Sequence, residues 1–353
     1  MLETRVLAKP KIIIRLLELS GWLAIITLAN LIIGILLVFH GPFVALKELY
    51  VTTAMTTYTH QYLAQWFVNK TEIERIMAKN RIQEPSENTN EKAIMIDERL
   101  IKRKSEIEYF EINRNNFRGH LLKVSNPKNI SLSASDNLGR TGMKVSDFAR
   151  KQNAVAAINA GGFADVGGIG TGGTPTGLLM VDGKILYKDN LDKYSIIGFD
   201  RNNIMVLGKY TLREIEEMGV RDAVNFGPFI VVNGEPMIKY GDGGWGIAPR
   251  TAIGQTKDGA ILLLVIDGRQ ISSIGATLRD LQDIMLEYGA QNAANLDGGS
   301  STTMYYNGQV INKPSSPDGP RDVPSAFVVK LENSFLDENV PVLLKQVSGF
   351  EGH

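Results

Sequence analysis

The chain has 353 residues, no cysteine, and 38 basic residues against 38 acidic ones. That balance creates no net field to draw the protein toward nucleic acid. The missing cysteine excludes disulfides, thiolate nucleophiles and cysteine zinc sites together. The length suits one soluble domain beyond a membrane segment.

Residues 1–15 carry Arg5, Lys9, Lys11 and Arg15 against a single acid, Glu3. Residues 16–39 follow as an almost unbroken apolar run of 24 residues. As a helix this run is about 36 Å long, enough to cross a bilayer core. The charge asymmetry places the N-terminus in the cytoplasm and the rest of the chain outside. The run exceeds a typical signal-peptide core, and no small-x-small site follows it directly. A retained signal anchor is therefore expected, with a cleaved signal peptide as the alternative. Residues 40–92 are expected to be a membrane-proximal helix or stalk serving as a spacer, with a polar, proline-containing linker at 83–92.

The segment 93–332 reads as one domain of alternating strands and turns, followed by a tail at 333–353. Strands are expected at 117–124, 130–134 and 154–158, the last entering Asn159-Ala160-Gly161-Gly162-Phe163. Ser146 or Asp147 is expected to start a short helix ending at Lys151. Hairpins are expected around Asp182-Gly183, between 194 and 207, and around Asn233-Gly234. Thr211 with Glu214 has the spacing of a capping box for a helix stopped by Gly219. The fold class that follows is α+β, with a mixed, largely antiparallel sheet, a few packed helices and a single transmembrane helix before them. The glycine-rich run 170–177 lacks a phosphate-loop lysine and leads into a strand, so a nucleotide site is not supported there. It reads as a mobile loop near the site.

Two later strands end alike. Residues 249–254 and 260–266 pair around Lys257-Asp258-Gly259, and the second strand ends in Asp267-Gly268-Arg269-Gln270. Thr277 and Asp280 then cap a helix with Leu278, Leu281, Met285 and Tyr288 on its apolar stripe, stopped by Gly289. The next strand ends in Asn295-Leu296-Asp297-Gly298-Gly299, followed by Ser300, Ser301, Thr302 and Thr303. A strand–helix–strand unit makes the two strands parallel, possible neighbours, and brings Asp267 and Asp297 to one edge of a sheet.

The motifs NAGGF (159–163), PRTAIGQTKDG (249–259), DGRQ (267–270) and NLDGGSSTTMYYNG (295–308) resemble the phosphodiester glycosidase family, over roughly residues 117–331. The resemblance implies cleavage of a sugar-1-phosphodiester to a sugar and a phosphate monoester. An extracytoplasmic enzyme acting on a cell-surface or exopolysaccharide-type glycopolymer is expected. The alternative from another class is a non-catalytic, membrane-anchored module that binds such a polymer.

The available chemistry fits that implication. Only His40, His60, His120 and His353 exist, so carboxylates must carry acid–base work, as in a glycosidase carboxylate pair. Asp297 is the expected nucleophile or general base, and Asp267 the group that orients the sugar or acts as the second acid/base. The residues also permit the reverse allocation. Arg250 and Arg269 are the expected phosphate ligands, because guanidinium forks match phosphate oxygens. Asn159, Gly161, Gly162, Gly298, Gly299, Ser300 and Ser301 are expected to hold hydroxyl or phosphate oxygens. Ser300 as a nucleophile lacks a histidine base. No cofactor is expected and no ligand spacing indicates a metal, although two carboxylates can recruit a divalent ion. The expected partners are a carbohydrate phosphodiester and the membrane, without nucleic acid; oligomeric state is left open.

Overall fold

The computed structural model describes residues 8–57, 60–82, 88–96, 106–165 and 170–331. The tail at 333–353 lies outside the described residues, as does part of the linker expected at 83–92. Helix α1 (Ala8–His40) contains one stretch, Ile14–His40, long and apolar enough to cross a membrane. Only Gly41, Pro42 and Phe43 separate it from α2 (Val44–Met55), which is followed by α3 (Tyr62–Phe67) and α4 (Lys70–Lys79). These three helices share a small core of Val51, Ala54, Ala64, Val68, Ile73 and Ile76. Phe39 at the end of α1 stacks on Phe67 and meets Tyr50 edge-on, so the apolar helix runs into this bundle. Asn69 caps α4 by accepting from the Glu72 N–H, the usual device for an orphan amide at a helix start.

The remaining chain builds three sheets. The first holds β1 (Ile107–Asn113), β2 (Arg118–Val124), β13 (Ile261–Ile266), β12 (Arg250–Thr256), β14 (Ala290–Leu296), β10 (Phe229–Val232) and β11 (Glu235–Pro236), in that order. The second is β16 (Gln309–Val310), β15 (Met304–Tyr306), β4 (Ala156–Asn159), β17 (Ser325–Val329) and β3 (Ile130–Ala134). The third is β6 (Lys184–Lys188), β5 (Leu178–Val181), β9 (Val220–Asn225), β7 (Tyr194–Asp200) and β8 (Met205–Tyr210). Among the described residues, all neighbouring strands within these sheets are antiparallel, as the density of hairpin turns implies.

Side-chain alternation explains how the sheets associate. One face of each contributes to a common core, with Leu263 and Leu296 from the first sheet, Ile158 and Phe327 from the second, and Phe199 and Val224 from the third. Each outer face is covered by one helix. The helix α5 (Val145–Lys151) buries Phe148 against the second sheet, and α6 (Leu212–Glu217) buries Ile215 against the third. The helix α7 (Leu278–Glu287) buries Leu278, Leu281, Ile284 and Met285 against the first.

Both capping boxes form, at Thr211 with Glu214 and at Thr277 with Asp280. The start of α5 differs from expectation. Lys144 occupies the cap position without a side-chain bond, Ser146 is buried, and Asp147 pairs with Arg150 at 2.7 Å. A larger difference concerns β13 and β14. They run parallel, but β12 lies between them and pairs antiparallel with both, so they are not neighbours. The crossover helix α7 thus spans an intervening strand.

The rings of Phe199 and Phe327 meet edge-on at 6.0 Å between the third and second sheets, both fully buried. Phe327→Ala should cost about 3–5 kcal/mol of unfolding free energy, measured by denaturant titration. A loss below 1 kcal/mol would mean that the sheets do not depend on this contact.

Candidate active site

The C-terminal ends of β13 and β14 and the start of β12 coincide in register: Arg250 pairs with Ile266, and Thr251 with Leu296. Asp267 and Asp297 therefore leave the sheet at one end, with Arg250 on the strand between them. Two strand spacings separate the carboxylate-bearing strands, roughly 10 Å.

Asp297 is half-buried, and its surroundings determine its proton affinity. Burial pushes the carboxyl up to about 6, although the Ser301 hydroxyl, the Gly298 amide and the Arg321 charge pull it down. Desolvation outweighs the polar contacts, as expected when a carboxylate loses water on most sides. The backbone of Asp297 is fixed on both sides. Its N–H donates to the Ala160 carbonyl at 3.1 Å, and its carbonyl accepts from Asn159 Nδ2 at 2.6 Å.

That second contact revises the role expected for Asn159. Its side chain is fully buried, and Oδ1 accepts from the Thr251 hydroxyl at 2.9 Å and the Thr303 N–H at 3.1 Å. The amide holds β4, β12, β14 and the turn after Asp297 together, and it is not turned toward a ligand. Gly161 and Gly162 are likewise used for packing. A Cβ on Gly161 would lie 3.0 Å from Val224 Cβ, and one on Gly162 would lie 2.7 Å from the Phe226 ring. The Gly161 N–H donates to Ser325 Oγ at 3.3 Å, and the Gly162 carbonyl accepts from Thr176 at 3.1 Å.

Gly298 and Gly299 make the turn beside Asp297. Gly299 has φ +60 and donates its N–H to the Pro249 carbonyl at 2.9 Å. A side chain at Gly299 would point at Arg269, 3.4 Å from Nη2. Arg269 is exposed and has φ +59. The other five non-glycine residues with positive φ are asparagines or aspartates, whose side chains favour that region. A non-glycine residue held at positive φ is a recurrent mark of functional sites.

Arg250, an expected phosphate ligand, is buried at the start of β12. It is 4% exposed; Nε donates to the Ala276 carbonyl, and Nη2 to the carbonyls of Trp245 and Gly246. Burial lowers its pKa to about 10, with Asp242 raising it and Arg269 lowering it further, so it stays cationic at neutral pH. Nη1 meets no acceptor among the described residues, and neither Arg250 nor Arg269 forms an ion pair there. The two guanidinium groups repel each other, while Asp242 offsets part of the Arg250 charge without a direct ion pair.

Asp267 is differently engaged. It is 8% exposed, and one carboxylate oxygen accepts from Asn312 Nδ2 at 3.1 Å and from the Lys313 N–H at 2.9 Å. Asn312 also accepts from Met304 N–H and donates to the Thr302 carbonyl. Asp267 thereby anchors the segment returning from β16 to the site.

Three residues, Arg321, Asp165 and Trp245, escaped the sequence reading. Arg321 forms a two-pronged pair with Asp165, at 2.6 and 3.0 Å, and donates to Ser300 Oγ at 3.2 Å. Its guanidinium lies 5.0 Å from the Phe163 ring centroid. Arg321 also holds the Gly170 carbonyl, and Gly170 donates to Asp165, which ties the start of the glycine-rich run to the site. Asp165 and Arg321 belong to no recognisable spacing pattern. Trp245 was also missed; its ring lies 5.9 Å from the Arg250 guanidinium and 6.2 Å from Phe226. The signal for it was the density of glycine around it at 241–246.

The sequence model for phosphodiester glycosidase matches residues 152–330. The SPbeta prophage-derived uncharacterized protein YomE of Bacillus subtilis is 32% identical over 211 residues, covering 55% of this chain and 30% of that protein. The bovine N-acetylglucosamine-1-phosphodiester alpha-N-acetylglucosaminidase is 39% identical over 69 residues, 20% of this chain and 13% of the bovine protein. The chain thus spans less than a third of either relative. Among solved structures, the catalytic domain of the zebrafish N-acetylglucosamine-1-phosphodiester alpha-N-acetylglucosaminidase, auto-inhibited by its pro-peptide, has a similar fold. The TM-score is 0.56 at 22% identity, covering 65% of this chain and 84% of that one. With half of its length matched by the family's sequence model, this chain belongs to the phosphodiester glycosidase family.

Proposed function

We propose that the protein hydrolyses a sugar-1-phosphodiester, with Asp297 acting at the anomeric carbon and Arg269 and Arg250 holding the phosphate. One arrangement supports this most: the Asp297 carboxyl, pushed up to about 6 by burial, leads into Gly299, whose open side faces the Arg269 guanidinium, and Arg269 forms no ion pair among the described residues. A departing phosphate monoester has a second pKa of about 6, so it leaves with little help from a general acid. Charge stabilisation is the greater need, and unpaired guanidinium groups supply it. At neutral pH Asp297 is mostly ionised and serves as base toward water or as nucleophile. Asp267, held by Asn312 and Lys313, maintains the site rather than taking part in proton transfer.

Family membership and α1 support a reading of the substrate class. We infer that α1 is a retained anchor with the N-terminus in the cytoplasm, and that the three sheets face the exterior. The bond cleaved then belongs to a cell-surface or exopolysaccharide-type glycopolymer with sugar phosphodiester links.

Asp297→Asn should lower kcat on a glycosyl phosphodiester by at least ~100-fold. In the wild type, kcat/KM should rise with pH along a limb near 6, and the variant should lack that limb. The stability effect has the opposite sign. A raised carboxyl pKa means that the native state loses stability as pH rises from about 4 to 6. Asp297→Asn should therefore melt no lower than wild type at pH 7. Asp267→Asn should instead cost about 1–3 kcal/mol of stability, through its buried donors, with a smaller effect on kcat. Equal kinetic damage from the two substitutions would restore the paired-carboxylate reading. Binding of the polymer without turnover would leave a binding module.

Arg269→Ala removes an exposed side chain and should leave the melting temperature nearly unchanged. It should reduce kcat/KM roughly 100-fold, and a variant with near-normal kcat/KM would exclude Arg269 from phosphate binding. For the anchor, protease added to intact cells should remove the sheets and leave a small membrane-bound fragment. A secreted product beginning near residue 45 would refute retention.

A further inference from the structure

Helices α2 and α4 meet the loop between β11 and β12 at residues 241–247, with the sequence Gly-Asp-Gly-Gly-Trp-Gly-Ile. Four glycines here, at 241, 243, 244 and 246, have positive φ. Such a loop has little conformational preference of its own, so its shape must come from its contacts. Asp242, 9% exposed, supplies most of them. Its Oδ1 accepts from the Gly244 N–H at 3.0 Å, and its Oδ2 accepts from the Gly246 N–H and the Thr52 hydroxyl, both at 2.8 Å. Thr53 Oγ1 accepts from the Ile247 N–H at 3.1 Å, and Thr56 Oγ1 donates to the Trp245 carbonyl at 3.1 Å. Gly246 lies so close to α2 that any side chain there would collide with the Thr53 backbone.

The opposite side of this loop faces the active site. The Trp245 and Gly246 carbonyls accept from Arg250 Nη2, each at 2.8 Å. A continuous path therefore runs from Thr52 and Thr53 on α2, through Asp242 and the loop backbone, to the Arg250 guanidinium.

We propose that α2 is part of the active site, with Asp242, Thr52 and Thr53 as positioning residues that aim Arg250 and Trp245 at the substrate's phosphate. This rests on the phosphate-binding reading of Arg250. The helices after α1 then do more than separate the sheets from a membrane. They impose a conformation on a loop that cannot impose it on itself, and Asp242 balances part of the buried Arg250 charge.

The test uses the full chain in detergent. Thr53→Val and Asp242→Asn are compared with Thr53→Ser, which keeps the hydroxyl. Tyr50→Phe serves as control, since it removes only the 3.2 Å bond to the Leu63 carbonyl within the helices. Three quantities are read: amide hydrogen exchange at residues 243–250, calorimetric affinity for inorganic phosphate, and kcat and KM on the methyl phosphodiester of N-acetylglucosamine 1-phosphate. Thr53→Val should lose protection at Ile247, and Asp242→Asn at Gly244 and Gly246. Both should weaken phosphate binding and lower kcat about 10- to 100-fold, the scale of a small misplacement of a catalytic group. Thr53→Ser should restore all three readouts, and Tyr50→Phe should change none.

Lost protection with kcat and phosphate affinity within about twofold of wild type would overturn the proposal, because α2 would then only brace the loop. Unchanged protection would overturn it as well. If the wild type binds phosphate in an α2-dependent way but does not cleave the diester, the proposed hydrolysis fails and the positioning role stands. A wild type that neither binds nor cleaves overturns both.

Discussion

The candidate active site depends on a buried amide taken up by internal hydrogen bonds, that of Asn159. Asn159 ends β4 in the second sheet, yet its side chain bonds Thr251 on β12, the backbone of Asp297 after β14, and Thr303 beyond the turn. These contacts join two sheets where the carboxylate leaves one of them. Buried polar groups are costly when a partner is lost, so the network favours one arrangement of the strands over nearby alternatives. The position of Asp297 is therefore a tertiary property, set by a residue 138 positions away in the chain.

Local signals in the sequence were strong enough to be read. Capping boxes at Thr211 and Thr277 and turns at Asp182-Gly183, Asn233-Gly234 and 257–259 rest on chemistry within a few residues. They fixed most element boundaries and the antiparallel character of the sheets. The end of the sheet shared by Asp267, Arg250 and Asp297 was also legible, because strand direction follows from the connecting helix. The strand order was not. Nothing in the segment 249–297 indicates that β12 sits between β13 and β14 rather than outside them, since a hairpin can lie on either side of its partner.

The roles of individual residues were harder to read for the same reason. A polar side chain in a motif has the same letter whether it faces a cleft or clamps a backbone. Asn159 and Asp267 sit in the most informative segments, and both are taken up by internal hydrogen bonds. Arg321 and Asp165 lie in segments without a pattern, and they meet only because the chain folds back across 156 residues. Arg250 shows a third case. It stands at a strand start, and the loop at 241–247 covers it, which no local pattern indicates.

The three-residue connection between α1 and α2 has a consequence for reach. A flexible tether of about 20 residues would let an enzyme sample a shell some 25 Å deep. Here the connection is short, and Phe39 is stacked into the helical bundle. With α1 in a bilayer, the cleft would stay at nearly constant height and tilt, whatever the length of the polymer chains around it. Under the proposed function, cleavage would then fall at a fixed depth, and the length of the fragment left on the surface would be set by protein geometry rather than by chance encounter.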